Sequence, residues 1–214
     1  ATQPAELGEK VVKPFINELA PMLQFIEKMQ AYNTKVLAER IYRERKAGFP
    51  NLQKGENVVS IIGGAQDEHG QGSRKIAPSL EFMSPATRFI PVENLETDAT
   101  YKSKEVDDLI TNIIGRFAPE LVKDKETFST FLNAGRQAVY AINPLASSTA
   151  AAQSIVNTQL AQEQGARGTV ISYSLGGADA RRYSATADYM GLRNTESLAM
   201  AYPYMNWVGN NPKN

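Results

Sequence analysis

The chain has no cysteine, a single histidine and no excess of either charge. Without cysteine there is no disulfide framework, no thiolate metal site and no cysteine nucleophile. Lys plus Arg and Asp plus Glu number 23 each. The basic excess that marks a dedicated nucleic-acid binder is therefore missing, which argues against nucleic acid as a partner. No apolar run approaches the roughly 18 residues that a membrane-spanning helix needs, so no span is expected. Charged residues, at 21%, and apolar residues, at 42%, are both modest, and uncharged polar side chains fill the gap. What remains is a chain of 214 residues, long enough to bury a real core. It starts Ala1-Thr2-Gln3-Pro4 without methionine, which together with the missing cysteines suggests an extracytoplasmic (periplasmic or secreted) or virion setting.

The N-terminal segment carries the strongest helical pattern. Val12, Phe15, Leu19, Met22, Ile26 and Met29 recur at three- and four-residue spacing, and the row continues through Asn33, Val36 and Arg40. A second row adds Ile16, Leu23, Leu37 and Ile41. This predicts an amphipathic helix, with a kink or a fresh start at Pro21 and an end near Gly48. Asn33 is expected at the edge of the stripe.

Residues 49–102 change texture. "NVVSII" (57–62) reads as a short strand, followed by "GGAQDEHGQGS" (63–73), which reads as a flexible loop. Pro78, Pro85 and Pro91 then argue against regular helix and for an extended arm or hairpin leaving a helical body. Helices resume with Ser103 as a cap and Glu105, Asp107 and Asp108 in the first turn. Pro119 ends that helix, Asp124 caps the next, and Asn143-Pro144 ends it. Ser147, Ser148 or Thr149 opens a third, rich in small residues, that Gly165 closes. Its small side chains suit a central helix or one packed on another subunit. "TVISYS" (169–174) is extended. A helix capped near Asp179 follows, and a shorter one runs from Thr195 through Leu198, Met200 and Ala201. The expected fold is mainly α: a bundle of about four to six helices with a Gly/Pro-rich extended excursion and minor β. The expected division is 1–48, an N-terminal amphipathic helical segment, 49–102, the excursion, and 103–214, a helical body that shares a domain with 1–48.

Residues 168–182, "GTVISYSLGGADARR", read like the nucleophile elbow of an α/β-hydrolase. A strand leads to Ser174, with Ser172 and Gly176 at the positions of the motif's two glycines and a helix to follow. A serine nucleophile also needs a base, which in α/β-hydrolases is a histidine after the serine. The one histidine here, His69, precedes Ser174 in the glycine-rich loop, and the upstream pattern does not suggest a doubly wound sheet. Ser174 is thus a catalytic candidate without visible partners.

The remaining candidates have plainer readings. Asp67-Glu68-His69 are adjacent in sequence and do not share a face, so no metal site is expected. The loop lacks both phosphate-loop patterns, and no cofactor is expected. Glu93, Glu96 and Asp98 read as solvated acids. Arg40, Arg43, Arg45 and Lys46 form a basic patch, read as a solvated helix end. Tyr202, Tyr204, Met205, Trp207 and Val208 crowd the C-terminal segment, either capping the core or docking into a neighbour. Taken together, the sequence suggests a non-enzymatic structural or assembly subunit in a homo- or hetero-oligomer. Such a subunit would suit an exported component of a bacterial secretion or conjugation apparatus. The alternatives are a serine hydrolase using Ser174 and a virion coat or nucleic-acid-binding structural protein.

Overall fold

A computed structural model describes residues 13–45, 52–64, 71–84, 86–173, 176–192 and 197–200. In chain order the elements are α1 (Lys13–Glu44), β1 (Asn57–Ile62), α2 (Gln71–Met83), β2 (Thr87–Val92), α3 (Leu95–Tyr101), α4 (Lys104–Phe117), a 3-10 turn (Pro119–Val122), α5 (Lys125–Ile142), α6 (Thr149–Glu163), β3 (Gly168–Tyr173), α7 (Gly176–Met190) and β4 (Ser197–Met200). The protein is mainly helical with a minor β component. The strands form a single parallel sheet in the order β2-β1-β3-β4.

That sheet changes the meaning of residues 49–102. β1 and β2 run parallel, Val59 beside Phe89 and Ile61 beside Pro91, so they are not a hairpin. The segment supplies a central strand, an edge strand and the helix between them. α2 forms although Pro78 lies within it. β1 is buried along nearly its whole length, which is why it reads as a continuous apolar run rather than an alternating one. Pro91, which argued against regular structure, sits on the edge strand, where a missing backbone donor costs no ladder bond on the open side.

The sheet buries both faces. Ile62, Val92 and Val170 face α6 and α7, meeting Ala151, Ile155, Ala180 and Tyr183. Val59, Ile61 and Phe89 face Ala77 and Leu80 of α2. α6 is the small-residue helix and is central: Ala150, Ala151, Ala152, Ile155 and Val156 are fully buried. Asn157 on α6 donates to Ser60 Oγ of β1 at 3.0 Å, and Thr158 shares a 2.8 Å hydrogen bond with the Tyr183 hydroxyl of α7.

α1 lies across α6 and α7; Leu37 and Ile41 of the expected second row pack against the core, but the most deeply buried stripe is one of small and polar residues that the spacing did not indicate. Gln30, Ala31, Thr34 and Ala38 face inward, while Met22 and Val36 are exposed. The small residues win the contact because α6 and α7 also present small side chains and the backbones approach closely. Gln30 Nε2 reaches the α5 terminus, donating to Ala141 O (3.2 Å) and Asn143 O (2.7 Å). Asn33 is half-buried and donates to Pro144 O at 3.3 Å.

The caps at Ser103, Asp124 and Ser148 form, each side chain accepting from first-turn N–H groups. Gly165 closes α6 with φ +73°. The last predicted helix differs: residues 197–200 are a strand whose Leu198 pairs with Ile171. An open edge beside β3 outweighs a weak helical spacing. Among the described residues no helix is long and apolar enough to cross a membrane.

Candidate functional site

The sheet has a switch point. The chain leaves β1 through α2 toward β2 on one side, and leaves β3 through α7 toward β4 on the other. Since α2 and α7 cover opposite faces, the connections part between the C-terminal ends of β1 and β3. In open parallel sheets that crevice is where ligands bind. The absence of a doubly wound pattern, expected from the sequence, is corrected here: strands and helices do alternate, with the long insertion 95–142 hiding the rhythm.

Three chain segments meet at this rim. β1 ends at Ile62 and continues into Gly63 and Gly64, both buried. β2 continues into Glu93 and Asn94, and Asn94 is fully buried. β3 ends at Tyr173, and two residues later Gly176 begins α7. Ser174 and Leu175 make that link and lie outside the described residues.

The close approach is at Gly176. A β-carbon there would stand 2.6 Å from Gly63 O and 2.7 Å from Ile62 O. The helix can start against the end of the central strand only because this residue has no side chain. Asn94 holds the same carbonyl, its Nδ2 donating to Gly63 O at 2.8 Å.

Below the rim lies a buried polar cluster that fixes the first turn of α7. Asp179, without exposure, accepts from Ser148 Oγ at 2.6 Å, from the Tyr140 hydroxyl and from Arg182 Nη1 at 3.4 Å. Arg182 also donates to Tyr140 O and stacks 4.5 Å over the Tyr140 ring. Ser148 does two jobs at once, giving its proton to Asp179 and accepting from Ala151 N–H at the start of α6 (3.0 Å). Burial first, and then the Asp179 charge, push the Tyr140 hydroxyl well above its ordinary pKa, so it remains a donor. A carboxylate in the first turn also suits the helix dipole. Asp179 is thus a member of the first turn rather than a cap before it, and its role is to seat α7.

Glu96 is not the solvated acid expected. Its carboxylate accepts from Thr149 N–H (2.9 Å) and from the Thr149 hydroxyl (2.5 Å), tying α3 to the start of α6. Asp107 pairs bidentately with Arg136 at 2.7 Å twice, and Asp108 pairs with Lys104.

The other sequence candidates separate. His69 lies outside the described residues, as do Tyr202, Tyr204, Met205, Trp207, Val208 and Lys46. Arg40 pairs with Glu44 at 3.4 Å, Arg45 stacks 4.1 Å over Tyr42, and Arg43 is exposed. That is the arrangement of a solvated helix end. Among the described residues no group of acids and histidines could hold a metal ion. The rim residues Gly63, Gly64 and Asn94 were missed from sequence. The usable signal was the buried-strand run "VVSII" ending in two glycines. No protein-family model, curated protein or solved structure matches this chain.

Proposed function

We propose that the chain carries the nucleophile half of a serine hydrolase, with Ser174 as the attacking group and an ester or related acyl compound as substrate. The observation that carries this reading is the fit of Gly176 against the end of β1. A nucleophile elbow is a strand, a tight link bearing the serine, and a helix packed so closely on the sheet that a glycine is required two residues on. β3, residues 174–175 and α7 have that order, and the backbone oxygens of Ile62 and Gly63 are the packing reason for the glycine. The site also falls at the sheet's switch point, beside a buried diglycine after the neighbouring strand. In such elbows the N–H following the serine and an N–H from the loop after a neighbouring strand stabilise the anion that forms when the hydroxyl adds to a carbonyl.

The chain's one histidine, His69, belongs to the β1–α2 connection in sequence. The test is covalent labelling with a fluorophosphonate and hydrolysis of 4-nitrophenyl butyrate. Label on Ser174, with both signals lost in Ser174→Ala, is the expected result. An unlabelled protein, or a Ser174→Ala variant with unchanged hydrolysis, sinks the reading.

A second reading, an assembly subunit, is supported by exposed apolar rows. On α1, Met22 (59% exposed), Phe25 (62%), Tyr32 (53%) and Val36 (47%) recur at helical spacing, and Leu109, Ile113 and Phe117 do so on α4. Contiguous apolar surface of this kind marks contact with another macromolecule. Light scattering behind a sizing column, over a concentration series, tests self-assembly: a discrete oligomer supports it, and a strict monomer removes it.

A further inference from the structure

We infer that the α4 face carrying Leu109, Ile113 and Phe117 docks on the same face of a second copy of this chain, antiparallel across a twofold axis. The inference rests on the assembly-subunit reading and gives it a partner and a surface.

α4 has more apolar surface than its neighbours cover. Val106, Ile110 and Ile114 form one row, and Leu109, Ile113 and Phe117 form another. α4 packs on α5 and the 3-10 turn, and the first row takes that contact. Ile110 is buried, and a β-carbon on Gly135 of α5 would lie 2.7 Å from its Cγ2. The second row faces solvent, with Leu109 at 53%, Ile113 at 50% and Phe117 at 78% exposure. A helix with two apolar faces needs a second partner to bury the second face.

The exposed face extends onto α5. The Asp107–Arg136 ion pair marks one flank of the α4–α5 contact. At roughly 100° per residue, Leu109, Ile113 and Phe117 fall on the opposite side of Ile110 from Asp107. Phe131, 45% exposed, falls on the opposite side of Gly135 from Arg136. The four side chains present roughly 400 Å² of apolar surface, a patch of the size that marks an interaction site. A twofold contact buries this area from both copies, and with the flanking polar groups the total reaches the roughly 1,000 Å² at which specific interfaces begin.

The charge pattern selects a second copy as the occupant. Glu105 precedes Leu109 by four residues and Arg116 follows Ile113 by three, so acid, apolar, apolar and base run along one side of α4. Both ends of that run are exposed. The other α4 charges are matched within the chain, Lys104 with Asp108 and Asp107 with Arg136. Set antiparallel, with Leu109 against Ile113 of the second copy, the run complements itself. Each Glu105 then lies within about 1.5 Å, one residue's rise, of the level of the other copy's Arg116. The helix dipoles also oppose in this arrangement, whereas a parallel one would set Glu105 beside Glu105.

Light scattering behind a sizing column over a concentration series reads the association, and far-UV circular dichroism checks folding. The unsubstituted protein is expected to dimerise, with Kd raised at least about 100-fold in Ile113→Asp. Glu105→Arg and Arg116→Glu should each raise it roughly tenfold. In an equimolar mixture of these two charge variants every acid again meets a base, so the mixture should regain the affinity of the unsubstituted protein.

A folded Ile113→Asp variant that still dimerises overturns the proposal, as does a mixture no tighter than its components. If Ile113→Asp does not fold, the mixing experiment decides, because it leaves the apolar row intact. A dimer lost in Phe25→Asp on α1 but kept in Ile113→Asp leaves the assembly reading standing and removes the α4 contact. A strict monomer removes both self-assembly and this contact.

Discussion

Gly176 stands so close to Gly63 that a β-carbon on it would lie 2.6 Å from the Gly63 carbonyl oxygen. The two residues are more than a hundred positions apart, and their contact joins the start of α7 to the end of β1. The neighbours are backbone oxygens, which cannot rotate aside as a side chain could. Gly176→Ala should therefore destabilise the protein by about 1–3 kcal/mol, the usual cost of overpacking. Urea unfolding followed by circular dichroism measures it, and an unchanged midpoint would show that α7 is not seated on β1 in this way.

Two other glycines should respond in opposite directions. A β-carbon on Gly168 would meet the Thr158 backbone at 2.4 Å, whereas one on Gly115 would meet nothing within 4 Å. Gly115 lies inside α4, where glycine is about 0.5–1 kcal/mol worse than alanine. Gly115→Ala is expected to raise the melting temperature and Gly168→Ala to lower it. The pair of thermal melts is the check, and equal shifts would contradict the packing of α6 on β3.

The Asp107–Arg136 pair joins α4 to α5 through two 2.7 Å hydrogen bonds. The Arg136 hydrogen bonds hold the Asp107 carboxyl below its ordinary pKa, and the guanidinium charge adds to that. A depressed folded-state pKa gives stability that is full above the unfolded value, about 3.9, and is lost as pH falls through the folded value. Partial exposure limits the pair to about 1 kcal/mol. Asp107→Asn should lower the melting temperature at neutral pH, and the gap from the unsubstituted protein should close below about pH 4. A gap that persists at low pH would assign the loss to packing instead.

The buried tyrosines should set the alkaline limit. Burial drives the Tyr183 hydroxyl up to about 12, partly offset by its bond to Thr158, and Tyr140 is also raised. Folding then holds these protons more tightly than the unfolded chain does. The linked stability is intact below the unfolded tyrosine value, about 10, and is lost as pH rises toward the folded values. Tyrosinate absorbance should show two of the titrating tyrosines released only with unfolding. The double variant Tyr140→Phe and Tyr183→Phe should flatten that dependence while costing stability at neutral pH through the lost hydroxyl partners.

The local signals were legible in the sequence because they are local. Ser103, Asp124 and Ser148 cap helices by reaching N–H groups two or three residues away, and Gly165 supplies a positive φ at one chain position. The strand 168–173 was readable from its β-branched run, and the predominance of helix from its periodic rows. The candidate serine could be found from its flanking residues alone.

What only the tertiary structure decided depends on which distant segments meet. Nothing near residues 57–62 says that 87–92 and 168–173 will pair on either side, because the partners of a parallel strand are chosen across long connections. The face that α1 buries was settled by the small side chains of α6 and α7 beneath it, against its larger apolar row. Glu96 and Asp179 became helix-fixing groups only when Thr149, Ser148 and Tyr140 arrived beside them. Composition and spacing determined α1, α4 to α7 and the capping residues of α4 to α6, together with the serine-bearing stretch, but not α2, α3 or the strand at 197–200. Close packing, which rewards complementary shapes rather than sequence neighbours, brought Gly63, Asn94 and Gly176 to one end of one sheet.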